Sequence, residues 1–502
     1  MVDITERIEI IRKMIAQGDY FCINRGRQYG KTTTLEAISK QLSDEYCVFQ
    51  ISFEGVGDSY FETASTANAA FLRLLRQNAQ WTNEEEKIKN ILDEVAPRGL
   101  KSVDSFDFAD IVAEICTQSS KPVVILIDEV DQAGNNDGFI KFLGGLRNMF
   151  LNRTTHPTFQ SVILAGVYDI KNLKLKMRPE EQHQYNSPWN IAVPFDVDMS
   201  LSAEGIAGML AEYKADHSLS FDEKAVAQEI RDYTAGYPFL VSRICQIIDA
   251  EQMPWNKDGV QKAVNKILNE GSTLFDDIVK KLDEFPELSR TIKSVLFQGM
   301  RYPFNYYDKA TNLALMFSFV KQQDGAFAIA CRMFEIWFYN YFISQDKQSP
   351  SFQQGMADKN QFIYDGIIDM PRLMERFVVH MNETYSIDKD TKFIEDDGRK
   401  VFLTYLRPII NGIGNYYIEA QTRDHQRMDV VVDYLGIRYV IELKIWRGNA
   451  YNERGEEQLT GYLEHFNLQT GYLLSFCFNK DKQPGLLPPV QLNGRTLIEA
   501  IV

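Results

Sequence analysis

The sequence predicts an α/β chain with two sheets, and three stretches carry that prediction. Phe21 to Leu35, FCINRGRQYGKTTTL, has the order of an apolar strand, a basic glycine-containing turn and a helix opening on Lys31-Thr32-Thr33. Pro122 to Asp131, PVVILIDEVD, is a continuous apolar run ending in acids, which is the pattern of a strand buried on both faces inside a parallel sheet. Met428 to Asp433 (MDVVVD) and Tyr439 to Lys444 (YVIELK) read as consecutive strands of a second sheet.

At 502 residues the chain is too long for one hydrophobic core, and its length suggests about three domains. Its composition, 45% apolar and 25% charged, is that of an ordinary globular protein. No apolar run is long enough to span a bilayer, and the start MVDITERIEI carries acids where a signal peptide carries bases. A cytoplasmic protein with no membrane association is therefore expected. Cys22, Cys47, Cys116, Cys245, Cys331 and Cys477 form no C-x-x-C and read as buried reduced thiols. The six His residues have no zinc-hydrolase spacing, which removes that chemistry. A net charge of −15 argues against coating nucleic acid by bulk electrostatics but leaves room for a local basic groove.

Ile4 to Gln17 has helical periodicity and leads into the strand at Phe21. The turn that follows has the parts of a phosphate cradle. Backbone N–H groups close on an anion, Lys31 reaches it, Thr32 offers a hydroxyl to Mg²⁺, and the next helix adds its positive end. The G-x-x-x-x-G-K-[ST] pattern is met at Gly30, Lys31 and Thr32, but its first glycine is replaced by Arg25, with Gly26 one residue late. The plain alternative is a basic turn with no ligand. Its weight falls once Asp128-Glu129 closes the acidic strand, because in P-loop ATPases an Asp there holds Mg²⁺ through water and an adjacent Glu polarises the attacking water. The candidate ATP site is thus Arg25, Gly26, Arg27, Gln28, Tyr29, Gly30, Lys31, Thr32 and Thr33 with Asp128. Thr32 and Asp128 are its metal contacts and Glu129 its catalytic acid.

Strands are also expected at Cys47 to Phe53, Ser161 to Val167 and Ile191 to Asp196, with helices near Phe61 to Gln77, Phe106 to Gln118 and Phe139 to Asn152. Alternating strands and helices give a parallel sheet covered on both faces, with the ligand at the loop after the first strand. An extra strand between Lys31 and the acidic strand fits the additional-strand class of P-loop ATPases. Arg147 and Arg153 are candidates to act across a subunit boundary, which would make the protein a homo-oligomer. An exposed helix end is the simpler account of both.

From Leu201 to about Asn269 the pattern is helical and contains Ala235-Gly236-Tyr237-Pro238-Phe239-Leu240. There Gly ends one helix and Pro starts the next. Together, NRGRQYGKTT, VVILIDEVD, SVILAGVYD and GYPFLVSRIC resemble the bacterial AAA-like ATPases, which are related to archaeal-type and STAND ATPases. The resemblance covers about the first half of the chain. It implies a helical lid in which Pro238 packs near the nucleotide and reports its state. Between Leu274 and Phe342, Asp324-Gly325 separates two apolar runs and marks a hairpin. Helices followed by a hairpin suggest a winged helix, as does the resemblance. With Lys321 the one base on it, bracing neighbouring domains is the preferred role over DNA binding.

Ser344 to Gln361 is polar and aperiodic and reads as a linker. The expected domains are an ATPase core at 1–200, a lid at 201–270, a winged-helix-like domain at 271–343, the linker at 344–361 and a C-terminal domain at 362–502.

In the C-terminal domain, alternation puts Glu442 and Lys444 on one face of a strand, near Asp429 on the strand before. Two carboxylates can hold Mg²⁺, and the Lys can orient water or stabilise charge developing on phosphorus. The plain alternative is alternating charge on the solvated face of an edge strand. Asp429, Glu442-x-Lys444 and then Gln458 and Tyr462 resemble the PD-(D/E)XK nuclease superfamily with its Q-x-x-x-Y helix. Arg427 and Glu419 also fit the members fused to AAA-like ATPases. The resemblance implies a restriction-endonuclease-like fold in which Asp429, Glu442, Lys444, Gln458 and Tyr462 are catalytic and Glu419, Asp429 and Glu442 hold metal. Glu375, Glu395 and Glu419 all remain open as the upstream acid.

The function expected is an ATP- and Mg²⁺-dependent ATPase coupled to cleavage of nucleic acid, DNA before RNA, with a role in defence or mobile-element control implied by resemblance alone. Two alternatives stand beside it. One is a STAND-like assembly switch with a triggered effector, and the other is an inactive nuclease fold used for binding.

Overall fold

Period-two alternation in the N-terminal strands sorts their side chains onto two covered faces, which is how the first sheet holds itself together. The computed structural model describes residues 2–81, 86–97, 99–134, 136–167, 189–297, 300–306, 308–384, 391–410, 413–418, 428–445, 459, 463, 467–477 and 483–502. It divides into two units, residues 1–200 with 316–318 and residues 201–315 with 319–502.

Unit 1 runs α1 (Thr5–Ala16), β1 (Phe21–Asn24), α2 (Lys31–Leu42), β2 (Cys47–Ser52), α3 (Ala64–Trp81), α4 (Glu86–Val95), α5 (Ser105–Gln118), β3 (Val123–Asp128), α6 (Asp137–Leu151) and β4 (Ser161–Gly166). The strands are parallel in the order β1-β4-β3-β2. Val124 and Leu126 of β3 join Ile8, Ile11 and Ile15 of α1 and Leu35, Ile38 and Leu42 of α2 on one face. Val123, Ile125 and Ile127 face the opposite way, onto Phe71 and Leu72 of α3, Phe108 of α5 and Phe142 of α6. Each such side chain stabilises the fold by about 1.5–3 kcal/mol on burial.

One feature of this sheet differs from expectation. The strand expected at Ile191 to Asp196 is reduced to a single parallel bridge between Val193 and Phe21. The strand beside β1 in space is β4, while β2, the extra strand in sequence, lies outside β3. Periodicity finds strands but carries no information on their neighbours.

Unit 2 begins with α7 (Ala203–Asp216), α8 (Glu223–Thr234), α9 (Pro238–Ala250), α10 (Lys257–Asn269), α11 (Thr273–Glu284), α12 (Pro286–Phe297) and α13 (Lys309–Met316, its last residue assigned to unit 1). Ser202, Asp222, Asn256 and Ser272 cap helices with side-chain oxygens, each such cap contributing about 1 kcal/mol. Ala235 and Gly236 are both left-handed, and Pro238 opens α9. A Cβ on Gly236 would lie 2.2 Å from the Leu201 carbonyl oxygen, so the helix junction admits only glycine there. The hairpin expected at Asp324-Gly325 is present, with both residues at positive φ between β5 (Val320–Gln323) and β6 (Ala326–Ile329).

After α14 (Arg332–Gln345), the stretch expected as a linker holds α15 (Pro350–Asp358). Ser349 caps it and Ser351, Gly355 and Asp358 are buried. A Cβ on Gly355 would meet the Tyr405 carbonyl oxygen at 2.1 Å. Its Asp358 is held by two other helices: Tyr405 donates to Asp358 and Arg376 pairs with the same carboxylate.

The chain continues through β7 (Ile363–Tyr364), β8 (Ile367–Ile368), α16 (Met370–Thr384) and α17 (Thr391–Ile410) into a mixed sheet. Its strands are β9 (Gly414–Ile418), β10 (Met428–Tyr434), β11 (Ile437–Ile445), β12 (Thr470–Phe476), β13 (Gly485–Leu486), β14 (Val490–Leu492) and β15 (Arg495–Ile501). The order is β13-β15-β12-β11-β10-β9, with β14 also paired to β15. β9, β10 and β11 form an antiparallel meander, and β11, β12 and β15 are parallel. Helical residues Leu459 and Leu463, both buried, fall between β11 and β12.

The six cysteines are unbridged, and burial pushes the thiols of Cys116, Cys245 and Cys331 up to about 12. Such thiols are unreactive at neutral pH. Among the described residues no helix is long and apolar enough to cross a membrane.

Candidate functional site

In unit 1 the turn after β1 keeps its shape through backbone conformations that few residues adopt. Gln28 and Gly30 have φ values of 57° and 78°. Gly30 is thereby the left-handed N-cap of α2, and its carbonyl accepts from the Thr34 hydroxyl at 2.8 Å. The buried Lys31 ammonium donates to the carbonyl oxygens of Arg25 (3.1 Å) and Gly26 (3.0 Å), so it spans the inside of the turn. Burial lowers its pKa, opposed by Glu129, Asp131 and Asp128.

Arg25, which stands where the usual pattern has glycine, is a brace. Its guanidinium donates to the carbonyls of Asn24 (2.8 Å) and Val197 (3.0 Å) and lies over the Phe195 ring. Its backbone N–H donates to the Gly166 carbonyl at the end of β4. Gly26 is required for a different reason: its N–H donates to the Ser318 hydroxyl at 3.0 Å, and a Cβ would come within 2.7 Å of the Phe317 carbonyl oxygen. Residues 316–318, assigned to unit 1, thus lie against the turn. Arg27, Gln28, Thr32 and Thr33 are exposed and Tyr29 is half-buried.

The acidic strand reaches the same place. Thr32 donates its hydroxyl to Asp128 Oδ2 at 2.6 Å, and Asp128 Oδ1 accepts the Glu129 N–H at 2.9 Å. Glu129 is left-handed, at φ 51°, an uncommon conformation for a residue with a Cβ. Its carboxyl pKa is raised first by burial and then by Asp128, with Lys31 opposing. Asp131, not selected from the sequence, accepts the Val167 N–H at 2.5 Å and so joins the ends of β3 and β4. Its signal was present as the third acid of IDEVD. Thr32 and Asp128 converge two hard oxygen donors, which suits Mg²⁺.

Of the two candidate arginine fingers, Arg153 is committed locally. It donates to the Gly18 carbonyl at 2.8 Å and stacks on Phe150. Arg147 is half-buried on α6. Pro238 lies in unit 2 at the start of α9.

In unit 2, Asp429 of β10 pairs in register with Glu442 of β11. Cross-strand partners share a face, and Lys444, two residues on, shares it as well. Glu442 is 1% exposed and Lys444 3% exposed, so the edge-strand alternative fails: β11 has a neighbour on either side and its charges are enclosed. Ser475, opposite Lys444 on β12, donates to Glu499 of β15 at 2.5 Å.

Glu375 is exposed on α16. Glu419, Arg427, Gln458 and Tyr462, and the side chains of Glu395 and Asp429, lie outside the described residues. Among the described residues no group of three or more His, Cys, Asp or Glu is arranged to hold a metal. Asp429 and Glu442 hold facing register positions on β10 and β11, and Mg²⁺ characteristically takes one or two carboxylates and keeps several waters.

Sequence reading missed a cluster at the other end of the hairpin, where the buried Asp433 and the half-buried Arg438 meet Glu229, Tyr233 and Arg332. Opposite charges at facing strand positions were the available signal for the first two; nothing local marks the others.

Residues 4–340 match the model of a family described as AAA-like domain. Solved structures similar to the chain include the Walker-type ATPase paby2304 of Pyrococcus abyssi, at 10% identity, 67% of this chain, 96% of that one and a TM-score of 0.46. The ORC2 protein of Aeropyrum pernix in its ADPNP-ADP complexes is similar at 12% identity, 68% and 93% coverage and a TM-score of 0.39. The ORC1 protein of Aeropyrum pernix in complex with DNA gives 10%, 69%, 94% and 0.29. No curated protein matches the sequence.

Proposed function

Because the chain belongs to the AAA-like domain family through residues 4–340, we propose that unit 1 binds and hydrolyses Mg·ATP and that this controls phosphodiester cleavage of nucleic acid, DNA in the first instance, by the C-terminal module. The observation that carries the cleavage half is the in-register pair Asp429 and Glu442 with buried Lys444 on the same face. The mixed sheet around it, an antiparallel meander followed by parallel strands, agrees with the restriction-endonuclease-like reading.

At the ATP site Lys31 exchanges its two carbonyl partners for phosphate oxygens, and the turn's N–H groups and the α2 N-terminus add fixed positive potential. Thr32 and Asp128 hold Mg²⁺, and Glu129 accepts a proton from the attacking water. At the C-terminal site Asp429 and Glu442 hold the metal, and Lys444 stabilises negative charge developing on phosphorus. Mg²⁺ supplies electrostatic stabilisation of the transferring phosphoryl group at both places. The test is cleavage of linear, circular, single-stranded and double-stranded DNA with Mg²⁺, with and without ATP, by the parent, Lys31→Ala and Lys444→Ala. Loss in both variants supports ATP-controlled cleavage; parental cleavage by Lys444→Ala refutes the nuclease assignment.

A specific observation favours a second reading, a nucleotide-dependent assembly switch. Residues 316–318 occupy a donor of the phosphate turn, the Gly26 N–H, as expected of a segment that must leave when nucleotide binds. Size-exclusion chromatography with and without ATP tests it, since a switch changes its oligomeric state.

A further inference from the structure

The β10–β11 hairpin has two ends, and they are held differently. One carries Asp429, Glu442 and Lys444. The other is pinned inside unit 2 by a buried ion cluster. Asp433, 3% exposed, faces Arg438 in register and accepts from its Nε and Nη2 at 2.8 and 3.2 Å. The fully buried Tyr233 of α8 donates its hydroxyl to Asp433 Oδ2 at 2.7 Å. Glu229, one turn earlier on α8, lies 3.7 Å from Arg438. Arg332, at the start of α14, sits over the rings of Tyr417 of β9 (4.0 Å) and Tyr233 (5.2 Å). Two carboxylates and two guanidinium groups from four elements are therefore gathered around the buried Asp433.

The hairpin turn is held as well. The Gly436 N–H donates to Gln261 of α10 at 3.1 Å, and Asn265 of α10 donates to the Ile413 carbonyl at 2.7 Å and bonds to Asn415 of β9. Helices α8 and α10 both lie in the region read as a lid. α8 ends at Thr234, directly before the left-handed Ala235-Gly236 pair and Pro238.

Such a cluster has little slack. A buried charge is tolerated only while its partners are in place, so the cluster holds as a whole or breaks. Burial would raise the Asp433 carboxyl, but the charge of Arg438 and the hydrogen bonds from Arg438 and Tyr233 outweigh it and hold the group below the usual carboxylate range. Burial, then Asp433 itself, pushes the Tyr233 phenol far up, so it remains a donor at any working pH. From Asp433 to Asp429 is four residues of strand, about 13 Å.

We propose that Tyr233 is a positioning residue for the C-terminal site: its hydroxyl grips Asp433, so that a movement of α8 with nucleotide state shifts β10 and β11 and resets Asp429, Glu442 and Lys444. The role in cleavage rests on the nuclease reading above; the mechanical link stands without it. Neither Tyr233 nor Asp433 touches substrate in this scheme.

The test uses the full chain and two readouts, nucleic-acid cleavage and hydrogen exchange of the 428–445 peptides, each with and without ATP. Tyr233→Phe keeps the ring and removes the one hydroxyl. Tyr213→Phe is the control, since Tyr213 bonds Asp249 elsewhere in the same helical region. In the parent, ATP should change both readouts. In Tyr233→Phe the ATP effect on kcat should fall about tenfold, a typical coupling between sites, and the exchange response should disappear. KM for nucleic acid and ATP affinity should stay unchanged. A structural role alone would loosen the hairpin equally with and without ATP. Exchange that responds to ATP in Tyr233→Phe as in the parent overturns the proposal, as does a parent hairpin that does not respond. A response lost in Tyr233→Phe, with no cleavage by any protein, refutes the nuclease reading and supports the link.

Discussion

Asp429 and Glu442 stand directly opposite each other across the antiparallel β10–β11 ladder, and Lys444 lies on the same face with 3% exposure. A carboxylate and an ammonium enclosed on one strand face are costly to bury unless both are satisfied. Asp429→Asn, Glu442→Gln and Lys444→Ala should each lower the cleavage rate by roughly 10²–10⁴-fold, the usual range for such groups, while leaving ATP hydrolysis at the parental rate. Rates measured on one DNA substrate, beside phosphate release, check this.

Lys31 is the ammonium inside the phosphate turn, held by two carbonyls. Lys31→Ala removes a charged donor to phosphate, and a hydrogen bond of that kind contributes about 1.5–3 kcal/mol. Affinity for a fluorescent ATP analogue should fall about 10- to 100-fold. Glu129→Gln should bind the analogue like the parent and fail to hydrolyse ATP.

Ser318 takes the Gly26 N–H at 3.0 Å. Ser318→Ala frees that donor for phosphate at the loss of one neutral hydrogen bond, about 1 kcal/mol, so ATP affinity should rise up to about fivefold. Equal affinity in titration calorimetry would mean that residues 316–318 do not compete with nucleotide.

Asp433 makes stability depend on acid. Its folded-state pKa lies below the usual value of 3.8, so its contribution is fully present above that value and is lost as pH falls through the depressed one. Asp433→Ala at neutral pH leaves Arg438 buried without its main partner and should destabilise unit 2 by about 3–5 kcal/mol. The deficit against the parent should shrink below about pH 4, read by thermal unfolding over that range.

His380 acts at a higher pH. Burial, then the charge of Arg376, lowers its pKa from 6.5, and Ser351 lies 2.9 Å from its Nε2. A depressed folded value means that the contribution is present above 6.5 and lost as pH falls through it. His380→Gln should flatten the acid limb of thermal stability below about pH 6.5.

The sequence by itself determined the elements and the chemistry that local patterns encode. The phosphate turn at Gly30-Lys31-Thr32, the buried acidic strand ending at Asp128, the Asp324-Gly325 hairpin and the shared face of Glu442 and Lys444 all follow from rules acting over a few residues. Backbone conformation, strand alternation and capping are short-range, so they can be read along the chain. Tertiary structure decided what depends on approach between distant segments. It set β4 beside β1, reduced the Ile191 to Asp196 strand to one bridge, turned Arg25 into a brace against Val197, and folded α15 from a polar stretch. It also brought Tyr233 onto Asp433, 200 residues away. The physical reason is that a polar side chain's role is fixed by whichever partner satisfies it once water is excluded, and no local spacing specifies that partner.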